Sequence, residues 1–246
     1  MRTTMSSPPT ETEGQCRGDI TRQKLLSAAV EIFGCHGYEG TSTRALAEAA
    51  GANLHAIKYY FGDKKGLYLA AADHIVALIN AHIAEIFTRV AARLAEAEKT
   101  ARPIRKSEAR ALLTDIVQTL AVLHVSSESE SWSRFMMREQ MEPTEAFDRM
   151  YADLMKPDME TIAQLLSIIL HEPPESEHIR LLTLSLIGSV LMFRMANATA
   201  MTHLGWERVG SREIESIRKL SANLVAAITV PTRTKAKRCL STKTRR

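Results

Sequence analysis

The chain has 246 residues, of which 45% are hydrophobic and 24% charged, an ordinary globular composition with enough apolar material for one large domain or two smaller ones. Its three cysteines, Cys16, Cys35 and Cys239, show neither metal-ligand spacing nor an even-numbered framework, which argues against a secreted disulfide scaffold or a zinc site and fits a reducing cytoplasm. The formal charge of +4 is local: Arg233, Lys235, Lys237, Arg238, Lys243, Arg245 and Arg246 stand in the tail with no acid, so the chain before them is net acidic.

Few glycines and prolines, no run of alternating β-branched residues, and a dominance of Ala, Leu, Ile, Met, Glu and Arg predict an all-α protein of about nine helices. Residues 1–18 lack an apolar core, so they do not form a signal peptide and read as a disordered N-terminal arm. A first helix is expected from about Asp19 to Cys35, with Leu25, Leu26, Ala29, Ile32 and Phe33 at helical spacing and His36-Gly37 ending it. Cys35 is expected to be buried on its inner side. Thr41 or Ser42 caps a second helix, Gly51 ends it, and Asn53 caps a third running from Leu54 to Tyr60.

Asp63 caps a fourth helix, a long rod continuing past Leu94 until Pro103 stops it. A fifth covers roughly Ser107–His124 and is followed by a polar break at Ser126–Ser131. A sixth runs from Trp132 to Met141, and a seventh from Thr144 to Leu170 with a kink at Pro157. An eighth spans about Ser176–Leu204 and a ninth Ser211–Thr229, leaving residues 232–246 as a basic disordered tail that could add salt-dependent phosphate affinity. The apolar stretch Leu181–Met195 is interrupted by Thr183, Ser185, Gly188, Ser189 and Arg194 and reads as too short and too polar to span a bilayer.

The segment Thr43–Phe61, TRALAEAAGANLHAIKYYF, carries the functional signal. Leu46, Ala47 and Ala50 give the second helix a small apolar face, and Leu54 and Ile57 are expected to face inward on the third. Small residues at 47 and 50 let the two helices cross closely and steeply, as a helix-turn-helix requires. His55, Lys58 and Tyr59 or Tyr60 are left outward on a short helix that fits a major groove. Tyr59 and Phe61 could instead close the small core, which is the expectation for Phe61; Lys65 stands equally as a solvated or a DNA-facing group.

The last two helices bear on assembly. RLLTLSLIGSVLMFRM is apolar nearly all round, and Ile214, Ile217, Leu220, Leu224 and Ile228 form a stripe close to a heptad. A homodimer interface is expected there, at Leu184, Ile187, Leu191, Ile214, Ile217, Leu224 and Ile228; a purely internal core is the alternative.

The stretch Thr21–Asp73, including GYEGTSTRALAEAAG, KYYF and DKKGLYLAA in order and spacing, resembles the TetR family of bacterial repressors. FMMREQMEPTEAF at Phe135–Phe147 and RLLTLSLIGSVLMFRMANATAMTHLGW at Arg180–Trp206 resemble the regulatory domain of its CecR-like subgroup. The resemblance implies a DNA-binding domain at 19–72, a ligand-binding and dimerisation domain at 73–231, and an Ω-shaped all-α homodimer that represses transcription from a palindromic operator. It further implies release by a small hydrophobic or amphipathic effector, with efflux or detoxification genes as targets and no cofactor. Carried over by position, Thr43 and Arg44 meet phosphate or a base edge, Asn53, Leu54 and His55 open the recognition helix, Tyr59 and Tyr60 pack on phosphates, and Lys64 pairs with another. Many members have Tyr where Lys58 stands, which makes a plain ion pair the expected contact there.

The same resemblance sets the effector pocket among the middle helices. Trp132, Phe135, Met136, Met137, Met141, Phe147 and Met155 offer adaptable apolar surface, and His124, Arg138, Glu139, Gln140 and Arg194 polar specificity. Arg138 and Glu139 stand equally as a structural pair or helix cap. No Gly-rich phosphate loop, nucleophile elbow or His–Glu zinc spacing points to an enzyme. An activator, or a ligand-independent architectural protein on the same fold, would use the same DNA surface; a small molecule that shifts DNA affinity separates the last from a switch.

Overall fold

The computed structural model describes residues 11–100, 102–126 and 129–229, with side chains from residue 18 onward. Among these the chain is all-α, with no strand. The tail at 232–246 and residues 1–10 of the expected arm lie outside the described residues.

Helix α1 (Glu11–His36) begins eight residues before the expected start, because the last helix-breaking proline is Pro9 and nothing between it and Asp19 stops the helix. Leu25, Leu26, Ala29, Val30 and Phe33 are buried, and Gly37, at φ 73°, ends the helix with its N–H on the Phe33 carbonyl at 2.8 Å. Cys35 is exposed, not buried: it sits two residues, about 200° of helix, beyond Phe33 and so faces away from the core. Ser42 caps α2 (Thr43–Ala49) by accepting from Ala45 N at 3.1 Å. Leu46, Ala47 and Ala50 are buried, and Gly51 turns the chain at φ 59°. Asn53 caps α3 (Leu54–Phe61) by accepting from His55 N at 2.9 Å. Ile57 alone anchors α3 inward; Leu54, at its N-terminal end, is 49% exposed, contrary to the inward expectation.

Asp63 accepts from Gly66 N at 2.7 Å at the head of α4 (Lys64–Thr100), a 37-residue rod of roughly 55 Å. Leu67, Tyr68, Ala71, Ala72, Ile75, Ile79, Ile83, Ile86 and Val90 recur at three- and four-residue intervals, so one stripe of α4 serves both the N-terminal helices and the C-terminal bundle.

Helix α5 (Lys106–Val125) is the centre of that bundle, buried through Leu113, Ile116, Val117, Leu120 and Ala121. Helix α6 (Ser129–Met141) starts inside the expected polar break, because Ser129 is buried with its hydroxyl on the Ser126 carbonyl at 2.8 Å. The long helix expected over 144–170 is α7 (Glu145–Met150), a π turn at Tyr151–Met155, and α8 (Lys156–Leu170). The widened turn directly precedes Pro157, whose ring would clash with the carbonyl four residues back in a regular α-helix.

The expected eighth helix divides at Ala196 into α9 (Glu177–Met195) and α10 (Asn197–Leu204). Asn197 turns its amide onto the Phe193 carbonyl, 3.4 Å, competing with the backbone ladder. Helix α11 (Ser211–Ala227) lays Ile217, Ser221 and Val225 on α5. Arg110 of α5 donates to its terminal carbonyls at Val225, Ala226 and Ile228, where a cation complements the helix dipole.

Measured whole, the 19-residue α9 and the longer α4 have the length and apolar composition of a membrane span, a test that core helices also pass. Each gives one face to this core: Ile179, Thr183, Leu186 and Val190 of α9 are buried. The opposite side of α9 exposes Leu181 and Met192, with Leu184 and Met195 exposed beside the inner face, and α11 exposes Leu220 and Leu224. Of the residues expected at a subunit interface, Ile217 is instead buried on α5, and Ile214 and Ile228 are half-buried. The helical stripe is split between two faces because Ile217 and Val225 lie on one side and Leu220 and Leu224 about 60–100° round from it.

Candidate DNA interface and effector cavity

The surface of α2 and α3 carries His55, Lys58 and Tyr59 together, Tyr59 being 82% exposed. Its ring stacks edge-on against Tyr60 at 4.8 Å. Tyr60 and Phe61 are half-buried; Phe61 packs on the core with the Arg22 guanidinium 5.5 Å from its ring centre. Thr43 is half-buried at the first position of α2, and Asn53 spends its side chain on the cap. Arg44 is exposed and lies along α2 with Nε on Glu48 at 2.8 Å. An exposed pair of this kind is worth little to the fold and easily exchanged for a base or phosphate. Arg44→Ala should therefore leave the melting temperature almost unchanged while costing roughly 1–3 kcal/mol of preference for a specific operator over random duplex. Fluorescence anisotropy on both duplexes reads this, and equal losses on the two would make Arg44 a phosphate contact.

Lys64 lies with its ammonium 4.2 Å from the Tyr38 ring centre, a cation–π contact at the edge of the same surface. Lys65 is exposed and pairs with Glu145 of α7 at 2.9 Å.

That pair belongs to a joint between the N-terminal helices and the rest. Arg138 of α6 donates to the Gly34 and Cys35 carbonyls at 2.9 and 2.7 Å, capping the end of α1. Gly34 permits this approach, since a Cβ there would lie 3.2 Å from Phe135 N. Arg149 of α7 bridges Asp73 of α4 at 3.2 Å and Glu145 at 3.1 Å. At the centre Glu139, 1% exposed, accepts from the Tyr68 hydroxyl with one oxygen. Its other oxygen accepts from Thr144 N (3.1 Å), the Thr144 hydroxyl (2.9 Å) and Phe147 N (2.9 Å). Burial and Glu139 push the Tyr68 phenol up, so it stays a donor. Phe135 packs on Tyr68, ring centres 4.7 Å apart. Arg138, Glu139 and Phe135 thus form the joint, not the pocket expected for them, and Met141 is an exposed residue off the pocket wall.

Between α4–α9 lies a cavity of about 440 Å³. His124, Trp132, Met136, Phe147, Met155 and Arg194 line it, with Met137 and Gln140. So do Leu184, Ile187 and Leu191, expected at a subunit interface, because α9 turns part of its apolar circumference inward. Burial and the nearby Arg194 push the His124 imidazole down to about 4, leaving it neutral, and its Nδ1 has no hydrogen-bond partner among the described residues. Arg194 donates Nε to the His124 carbonyl at 2.8 Å and Nη2 to that of Ser126, capping α5. Sequence reading missed Tyr151 and Asp158 on this wall. Asp158 was detectable, standing four residues from both Leu154 and Ile162 in an otherwise apolar stripe.

Burial alone pushes the Asp158 carboxyl up to about 7. The folded state therefore holds its proton more tightly than the unfolded chain, and the penalty of ionised Asp158 is fully present above pH 7 and fades as pH falls toward 3.8. Asp158→Asn should raise the melting temperature at pH 8 by a few degrees and by progressively less as pH falls toward 4, read by calorimetry across that range.

A family model described as bacterial regulatory proteins, tetR family, matches residues 25–71, and one for the C-terminal domain of the HTH-type transcriptional dual regulator CecR matches 109–229. CecR of Shigella flexneri is 28% identical over 201 residues, covering 82% of this chain and 87% of its own. The repressor AcnR of Corynebacterium glutamicum is 48% identical over 52 residues, covering 21% of this chain and 28% of its own. In fold, the chain resembles AibR in complex with isovaleryl coenzyme A and operator DNA (TM-score 0.56, 16% identity, 83% and 97% coverage). It also resembles HlyIIR, a hemolysin II transcriptional regulator (TM-score 0.55, 18% identity, 87% and 99% coverage). With a helix-turn-helix at its N-terminus and a CecR-type domain behind it, the chain belongs to the TetR family of transcriptional regulators.

Proposed function

We propose that the protein is a homodimeric repressor whose grip on a palindromic operator is loosened by a small molecule in the cavity between α4–α9. The observation that carries this reading is Glu139, which ties the cavity to the DNA-facing unit through two oxygens. One holds Tyr68 on α4, and the other holds the N-terminus of α7, whose Phe147 lines the cavity. A ligand that displaces α7 must break or drag this link, and with it the Lys65–Glu145 and Arg149–Asp73 pairs. The head of α4 then moves, and two recognition helices that fit grooves one turn apart, roughly 34–36 Å, no longer match. DNA and ligand weaken each other by the same factor. DNA contact is assigned to Thr43, Arg44, Asn53, Leu54, His55, Lys58, Tyr59, Tyr60 and Lys64.

Selection of bound duplexes from a random pool, followed by titration of the enriched sequence with hydrophobic and amphipathic compounds, tests the whole reading. An enriched inverted repeat released by one compound class is expected; an inverted repeat that no compound releases would remove the switch and keep the DNA reading.

The second copy is proposed to cover the exposed apolar faces of α9 and α11, where Leu181, Met192, Leu220 and Leu224 form unpaired surface. Leu220→Glu with Leu224→Glu should leave the monomer folded, as neither side chain is buried, and weaken dimerisation at least about 100-fold. Sedimentation equilibrium and circular dichroism check both halves of that statement.

A further inference from the structure

The cavity walls are apolar except at a few points, and only one of these carries an uncommitted charge. Arg194 spends its guanidinium on the His124 and Ser126 carbonyls, and His124 is neutral. Asp158 has no ion pair and no hydrogen bond among the described residues, although it is half-buried and borders the cavity. Across from it, α4 presents only Ile79 and Ile83, α5 Leu120, Leu123 and His124, the π turn Tyr151, and α9 Arg194 as its sole charge; on its own helix Lys156 and Glu160 are exposed. A carboxylate left unpaired in apolar surroundings is costly: it either takes up a proton or gains from a ligand that supplies the opposite charge.

Resting on the reading that this cavity holds the effector, we propose that the effector is an amphipathic organic cation whose nitrogen sits against Asp158. Its apolar body lies among Trp132, Met136, Phe147 and Met159, where aromatic faces and thioethers accept a flat or irregular hydrocarbon. Burial as the sole cause of the raised Asp158 titration agrees with the geometry, since no cation among the described residues lies close enough to oppose it. The same carboxylate disfavours anions, which sets this cavity apart from one built for an acyl-coenzyme A or a fatty acid.

The test uses the full-length protein and three matched probes: naphthylethyl-trimethylammonium, its neutral isostere with tert-butyl in place of trimethylammonium, and the corresponding naphthyl carboxylate. Binding is followed by calorimetry and by quenching of Trp132, with Trp132→Phe as the signal control. The cation should bind at least about tenfold tighter than the neutral isostere, with the carboxylate weakest. Asp158→Asn should bring cation and isostere within about twofold. In the unmodified protein the cation's Kd should weaken about tenfold from pH 8 to pH 6 while that of the isostere holds, because only ionised Asp158 attracts the fixed charge. This pH comparison decides the matter even if Asp158→Asn fails to fold. Equal binding of cation and isostere, with both releasing operator DNA, overturns the cation assignment and leaves the cavity reading standing. Failure of all three to bind overturns both.

Discussion

Glu139→Ala is expected to destabilise the protein by about 3–5 kcal/mol, because it removes the acceptor of four donors at once, on buried Tyr68, half-buried Phe147 and exposed Thr144. The Tyr68 hydroxyl, the Thr144 N–H and hydroxyl, and the Phe147 N–H would each face an apolar methyl group or intruding water. Against a typical total of about 5–15 kcal/mol this is a large fraction, so the alanine variant should show a markedly lower denaturation midpoint. Glu139→Gln separates stability from coupling. Its carbonyl oxygen can still accept from Thr144 and Phe147 while its NH₂ donates to the Tyr68 hydroxyl, so the charge-assisted link to α4 is replaced by a weaker, reversed neutral one. The glutamine variant should fold, bind operator DNA within a few-fold of the unmodified protein, and show a reduced response to effector. Anisotropy titrations with and without ligand read the coupling directly. Full ligand response in Glu139→Gln would mean that the signal bypasses this residue, most directly through the Lys65–Glu145 and Arg149–Asp73 pairs.

What could be read from the sequence, and what could not, divides along a physical line. The helix-turn-helix was legible because its signals are local: a Ser42 cap, a glycine at positive φ, an Asn53 cap and small residues at a close crossing all act within a few positions. Helix existence and order were legible from apolar periodicity for the same reason. The divisions at 150–156 and 196 were not, since a π turn and a local side-chain bond leave the periodic pattern almost intact. Residues acting over long separations were legible least. FMMREQM offers large apolar and charged side chains in alternation, but whether each faces a cavity or a neighbouring helix depends on what packs beside α6. Met136, Met137 and Gln140 reach the cavity, while Phe135, Arg138 and Glu139, on the adjoining face of the same two turns, reach α1 and α4. The α11 stripe was legible only in part: periodicity shows that the helix is amphipathic, and not that Ile217 is buried on α5 while Leu220 and Leu224 stay exposed.

Phe135 converts that distinction into a prediction, since a joint residue and a cavity residue should fail differently. Its ring is 1% exposed and rests on Tyr68, which also meets Phe33 edge-on at 4.8 Å and Tyr38 at 5.1 Å; Tyr38 in turn carries the Lys64 ammonium on its face. The rings form a continuous stack from α6 to the head of α4. Phe135→Ala leaves a cavity at its centre and should cost about 3–5 kcal/mol, with little collapse to relieve it because Gly34 already holds α1 against α6. Phe135→Leu, at a smaller cost, should keep the fold and reduce operator affinity by about tenfold, since Tyr68 and Tyr38 lose the surface that fixes Lys64 at the DNA edge. Ligand affinity should stay within about twofold, as the Phe135 side chain does not line the cavity. Met136→Ala, one residue along, should do the reverse, weakening ligand severalfold and sparing DNA. Parallel titrations of the two variants with ligand and with operator decide this: the same pattern of losses in both would mean that α6 does not separate the two tasks between its faces.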